Sequence, residues 1–203
     1  TIARILAKAL NCAKGPTASP CNECQSCKEI TGNISVDVIE IDGASNTSVD
    51  NVREIRENIK YLPSHGRYRV YIIDEVHMLS NQAFNALLKT LEEPPAHAIF
   101  IFATTESHKI PATIVSRCQR FDFKRISLKE IQNHLKFVAE AEGIKLTEKG
   151  IYLIAREVDG SLRDAHSLLD QVIAFAGTDI KETDVVDALG LMDRALLFKL
   201  SEA

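Results

Sequence analysis

The apolar positions of this chain change their period along its length. "TIARILAKALNC" puts Ile2, Ile5, Leu6 and Ala9 on one helical face with Arg4 and Lys8 opposite, the spacing of an amphipathic helix. "VDVIEID" (Val36–Asp42) reads as a strand, and "SVDNVREIRENIKYL" (Ser48–Leu62) as a helix with Val49, Val52, Ile55, Ile59 and Leu62 along one side. "YRVYIID" (Tyr68–Asp74) is a nearly continuous apolar strand, "NQAFNALLKTLEE" (Asn81–Glu93) is a helix stopped by Pro94 and Pro95, and "AIFIFATT" (Ala98–Thr105) is another buried strand. Such strands alternating with helices predict a parallel sheet covered on both faces. From Ser127 onward the pattern is helical only: Leu128–Glu142, Glu148–Val158, Ser161–Phe175 and Glu182–Leu189. A boundary near residue 125 is therefore expected, dividing an α/β domain (1–125) from a small helical one (126–190). Residues 191–203 begin a further helix, whose Leu196, Leu197 and Leu200 need a partner surface.

The composition, 45% hydrophobic and 26% charged over 203 residues, is that of an ordinary globular protein. No apolar run approaches membrane-spanning length. A net charge of −4 gives no global attraction to nucleic acid, so any such contact needs a local basic patch. Arg53, Arg56 and Lys60 form one candidate, interrupted by Glu54 and Glu57, so a solvated helix face explains them equally well.

Two features carry chemistry. The apolar strand in "VYIIDEVHML" ends abruptly in Asp74 and Glu75. In a parallel sheet the carboxyl ends of strands face the ligand crevice. An acid pair there matches phosphate hydrolysis, with Asp74 holding Mg²⁺ and Glu75 orienting an attacking water. Two solvated acids at a loop start are the plainer explanation. His77, just beyond, reads as a packing or hydrogen-bonding residue, since Glu75 already fills the place of a base.

The second feature is C-x8-C-x2-C-x2-C at Cys12, Cys21, Cys24 and Cys27, in a polar segment with turn residues between. The spacing places four thiolates around a structural Zn²⁺ and leaves no open coordination position for catalysis. Disulfides and an iron–sulfur cluster are the alternatives. Cys118 stands apart and reads as a small buried residue.

"IIDEVHMLSNQAFNALLKTLEEPP", then "FATTESHKIPATIVSRCQRF", then "GSLRDAHSLLDQ", together with the four-cysteine segment, resemble the gamma/tau subunits of the bacterial DNA polymerase III clamp loader, which are AAA+ ATPases. The resemblance runs through essentially the whole chain. It implies an AAA+ P-loop NTPase sheet with an inserted zinc loop (12–27), a helical lid and the start of a collar domain. It matches Asp74 and Glu75 to the Walker B acids, and Thr105 to the polar residue, sensor 1, that places the water or reads the γ-phosphate, with Thr104 its neighbour. Arg163 matches the lid's sensor 2, and Arg117, in "SRC", the arginine finger presented in trans to a neighbouring subunit's ATP. Ser161, with Asp164 three residues on, caps the Arg163 helix, whose N-terminus suits anions. Ser45 or Asn46 is a candidate relay from DNA to Glu75, and Ser48 with Asn51 a cap region.

The implied cofactors are ATP, Mg²⁺ and structural Zn²⁺. The implied partners are the delta and delta-prime subunits, further gamma/tau copies, the sliding clamp and primer-template DNA, in the bacterial cytoplasm. The family's G-x-x-x-x-G-K-[ST] phosphate loop does not occur in this sequence. The first helix looks like the one that follows that loop. The sequence is thus expected to be a piece of a longer protein, cut at both ends, with no ATP turnover of its own. A motor subunit that loads the clamp is the first reading. A non-hydrolysing scaffold like delta-prime is the second, and a zinc-centred nucleic-acid module the third.

Overall fold

A computed structural model describes residues 1–45 and 49–191, with backbone only at 49–51. The chain divides into two compact units, Thr1–Arg120 and Phe121 onward. In the first, the elements run α1 (Ile2–Asn11), α2 (Gln25–Thr31), β1 (Val38–Asp42), α3 (Val49–Asn58), β2 (Arg69–Asp74), α4 (Asn81–Glu92), β3 (Ala98–Phe102) and α5 (Ala112–Val115). The strands form a parallel sheet in the order β1-β2-β3, with Asp42 beside Asp74 and Ile73 beside Phe102. All three strands therefore end at the same edge.

Central strand β2 is buried on both faces because its alternate residues serve two cores. Tyr71 and Ile73 pack with Val52, Ile55 and Ile59 and with Phe84 and Leu87 of α4. Val70 and Ile72 pack with Ala3 and Ala7 of α1. A strand so placed needs an unbroken apolar run rather than alternation. The face of α1 that meets the sheet is small: Ala7 and Asn11 are buried, whereas Ile2, Ile5 and Leu6 are exposed. This corrects the expectation from periodicity. Alanines let the helix lie close to the sheet, and Asn11 completes the fit by bonding.

Two buried polar side chains tie the segment ahead of β2 to its surroundings. Asn11 Oδ1 accepts the amides of Arg67 (2.9 Å) and Tyr68 (2.8 Å), and its Nδ2 donates to the Tyr68 carbonyl (2.9 Å). Asp37 accepts the amides of Ser64 (2.6 Å), His65 (2.7 Å) and Gly66 (2.7 Å). A Cβ on Gly66 would sit 2.9 Å from the Asn11 amide, so no side chain fits there.

In the second unit, α6 (Leu128–Ala141), α7 (Glu148–Glu157), α8 (Leu162–Ala176) and α9 (Glu182–Leu189) enclose Ile131, Leu135, Ile154, Leu169, Val172 and Val185. Ser127 and Glu130 form a reciprocal capping box on α6, and Thr147 caps α7. The all-helical expectation needs correction here. Lys145–Leu146 and Asp179–Ile180 pair as a short parallel ladder, β4 with β5. Two residues apiece are too few to show a period in sequence. The further helix expected over 191–203 lies beyond the described residues, except for Leu191. Among the described residues, no helix is long and apolar enough to cross a membrane.

The Asp37 cluster makes a stability prediction. Burial opposes ionisation of Asp37, but the Gly66, His65 and Ser64 amides and nearby Arg69 outweigh it, so its carboxyl titrates below the usual range. A depressed carboxyl stabilises the fold fully above its unfolded pKa, about 3.9, and loses that contribution as pH falls through the folded value. Asp37→Ala strands three amides and is expected to cost about 3 kcal/mol at pH 7 in urea unfolding. It should also reduce the loss of stability that the wild type shows below about pH 4 by the share that Asp37 contributes. Equal stability of the two proteins at pH 7 would contradict this role.

Candidate nucleotide and metal sites

The carboxyl edge of the sheet gathers the acids that the sequence singled out. Asp74 is the last residue of β2 and is exposed. Its Oδ1 accepts the Glu75 amide at 3.0 Å, which leaves Oδ2 for a hard cation. Glu75 then turns into the left-handed region, φ 44° and ψ 45°, a conformation that costs a non-glycine residue about 1–3 kcal/mol. Gly43, after β1, lies against this turn. Its amide donates to the Asp74 carbonyl at 2.7 Å, and a Cβ there would meet the Glu75 carbonyl at 2.6 Å.

Strand β3 ends at Phe102, earlier than the expected Thr105. Ala103 still follows the sheet, donating to the Ile73 carbonyl (2.9 Å) and accepting from the Val76 amide (3.0 Å). Beyond it the two threonines turn to different partners. Thr105 donates both its amide (3.2 Å) and its hydroxyl (3.1 Å) to Glu75 Oε2. The hydroxyl of Thr104 instead lies 2.9 Å from His77 Nδ1 and accepts the Glu106 amide at 3.0 Å. The fold thus brings Asp74, Glu75 and Thr105 to one point and separates Thr105 from its neighbour. His77 belongs to the same cluster, and its bond to Thr104 fits the packing or hydrogen-bonding part expected of it. Its side chain is 8% exposed, 3.3 Å from Glu75 Oε2 and 3.1 Å from Glu106 Oε2.

Arg117 stands elsewhere in the first unit, just after α5. Its guanidinium donates to Glu92 Oε1 (2.6 Å) at the end of α4 and to the Thr113 carbonyl (2.7 Å). Arg163 belongs to the second unit, exposed in the first turn of α8, where Ser161 Oγ accepts the Asp164 amide at 3.3 Å. Ser45 donates to Asp42 Oδ2 at 2.6 Å. Asn46 and Ser48 lie outside the described residues, and of Asn51 only the backbone is described. Lys60 pairs with Glu57 at 3.1 Å.

The four cysteines converge. The ligand atoms of Cys12, Cys21, Cys24 and Cys27 all lie within 4.8 Å of one another. Tetrahedral zinc with Zn–S bonds of about 2.3 Å needs sulfurs about 3.8 Å apart, so the cluster fits such an ion. The cysteines are not confined to a polar loop: Cys12 and Cys27 are fully buried, with Cys24 capping α2 and Cys27 inside it. The protons they hold conflict. The Glu23 and Cys24 amides draw the Cys21 thiol down to about 6, whereas burial and the neighbouring Cys24 push Cys27 up to about 12. A divalent cation removes that conflict, because it stabilises every thiolate at once. Cys118 is half-buried against the first core, and desolvation raises its thiol.

A family model described as "DNA polymerase III, delta subunit" matches residues 1–127, and one for the "DNA polymerase III clamp loader subunit, ATPase lid domain" matches 130–178. The chain is 54% identical over 201 residues to DNA polymerase III subunit tau of Bacillus subtilis, covering 99% of this chain and 36% of that protein. It is 47% identical over 203 residues to the Escherichia coli subunit tau, covering 100% and 32%. The chain thus spans about a third of the length of these relatives. The Thermotoga maritima RuvB Holliday junction branch migration motor shares the fold, with a TM-score of 0.63 at 18% identity over 80% of this chain and 55% of that one. The parallel-sheet unit, the helical lid and these matches agree: the chain belongs to the gamma/tau family of DNA polymerase III clamp-loader subunits, which are AAA+ ATPases.

Proposed function

We propose that the full-length protein is an ATP-driven clamp-loader subunit that works with delta, delta-prime and further gamma/tau copies to load the sliding clamp onto primer-template DNA. The observation that carries this reading is the grip of Thr105 on Glu75 beside Asp74. It is the arrangement that hydrolysis at a strand's carboxyl end requires. Bound Mg²⁺ supplies neutralisation of phosphate charge, and the free Oδ2 of Asp74 suits such an ion. Glu75, presented by its left-handed turn, orients the attacking water and takes its proton. Thr105 fixes one carboxylate oxygen and leaves Oε1 for that water. Arg163 binds phosphate from the lid, at a capped helix start.

Arg117 acts in trans on ATP held by a neighbour. Its resting partner Glu92 must release it first, so the arginine enters only in the assembled complex. A guanidinium arriving with assembly couples turnover to the correct neighbour. Asp74, Glu75 and Arg163 together favour this motor over the non-hydrolysing scaffold. The four cysteines hold a structural Zn²⁺.

Two experiments test the proposal. In the full-length protein assembled with its partner subunits, Glu75→Gln should keep ATP affinity and lower turnover by roughly 10²-fold or more. Arg117→Ala should likewise spare binding and slow hydrolysis only in the complex. Undiminished turnover in either variant defeats the role assigned to that residue. Zinc analysis should find about one ion per chain. Chelation should then lower the unfolding temperature. A metal-free protein purified without chelators would refute the four-thiolate assignment.

A further inference from the structure

The Glu75 reading leaves an adjacent buried cluster unexplained. His77 contacts both carboxylates that flank it and the hydroxyl of Thr104, yet none of the roles assigned above uses it. The hydrogen-bonding order follows from what each group offers. Lys109 bonds to Glu106 Oε2 at 2.7 Å and holds the Glu106 carboxyl below its usual range, so this carboxylate only accepts. The imidazole Nε2 lies 3.1 Å from Glu106 Oε2, within ion-pair reach. Nδ1 shares a hydrogen bond of 2.9 Å with the Thr104 hydroxyl. That hydroxyl accepts the Glu106 amide at 3.0 Å. The contacts close on themselves: the Glu106 amide bonds to Thr104, Thr104 bonds to His77, and His77 lies beside the Glu106 carboxylate.

The closed circuit has two consequences at the site. It spans the turn after β2 and the segment after β3, so it fixes Thr105, between Thr104 and Glu106, relative to Glu75. It also places Nδ1 3.3 Å from Glu75 Oε2, the oxygen that Thr105 holds.

We propose that His77 is a positioning residue for ATP hydrolysis: with Thr104 and Glu106 it locks the two Thr105 donors onto Glu75. This rests on the reading of Glu75 as the water-activating acid. In this role His77 acts through Thr105.

The test compares Glu75→Gln, His77→Ala, His77→Gln, Thr104→Val and the His77→Ala/Glu75→Gln double variant. It uses the full-length protein in its assembled complex, with ATP affinity and single-turnover hydrolysis measured separately. His77→Ala and Thr104→Val break the same circuit, and each should slow hydrolysis by about 10- to 100-fold with ATP affinity within about twofold. His77→Gln puts an amide N–H near the position of the imidazole Nε2 and should recover much of the rate, which also covers the case in which the alanine variant does not fold. On the Glu75→Gln background, His77→Ala should add less than about twofold, because the group it positions is already gone. Wild-type turnover in His77→Ala, no rescue by glutamine, or fully additive losses in the double variant would overturn the proposal. Wild-type turnover in Glu75→Gln would instead overturn the underlying assignment of Glu75.

Discussion

One bend of backbone organises the first unit's edge. Glu75 occupies the left-handed region at φ 44° and ψ 45°, immediately after the last residue of the central strand. Strain of this kind persists only where the surroundings over-determine it. Here three neighbours do so. Asp74 Oδ1 accepts the Glu75 amide, the Gly43 amide donates to the Asp74 carbonyl, and Thr105 grips the Glu75 side chain. Gly43 has to be glycine because the bend leaves it no room for a side chain. The parallel register supplies all of these partners, since β1, β2 and β3 deliver Gly43, Asp74 and Thr105 to the same edge.

The rest of the unit holds that edge still. Both faces of β2 are packed, by α3 and α4 on one side and by α1 on the other. Asn11 and Asp37 clamp the segment entering β2 through its amides, so the strand is fixed at its start as well as along its length. The cysteine cluster lies at the end of α1, with Cys12 one residue beyond Asn11. A metal bound there would anchor α1 to α2 and, through Asn11, reach the approach to β2. Structural zinc in such a place contributes to folding rather than to chemistry.

Much of this was legible in the sequence. The unbroken apolar run before Asp74 could only be a strand buried on both faces, and the helices between such strands required a parallel sheet. The cysteine spacing announced that the four thiols converge. What stayed hidden depends on geometry that no periodicity encodes. The sheet-facing side of α1 is alanine and asparagine, and a pattern built on large apolar residues selects the wrong face. Adjacent Thr104 and Thr105 are identical in sequence, and only the end of β3 at Phe102 assigns one to His77 and the other to Glu75. The bend at Glu75 and the fit of Gly43 come from residues 32 positions apart meeting edge-on. The β4–β5 ladder is too short to leave a pattern.

In the proposed hydrolysis, the left-handed turn is what presents Glu75. Gly43→Ala addresses it without touching any group proposed to meet nucleotide, because the added Cβ would press on the Glu75 carbonyl from 2.6 Å. Measured in the assembled full-length protein, ATP affinity should stay within about twofold while the hydrolysis rate falls by roughly 10- to 100-fold. A Gly43→Ala protein that hydrolyses ATP at the wild-type rate would contradict the claim.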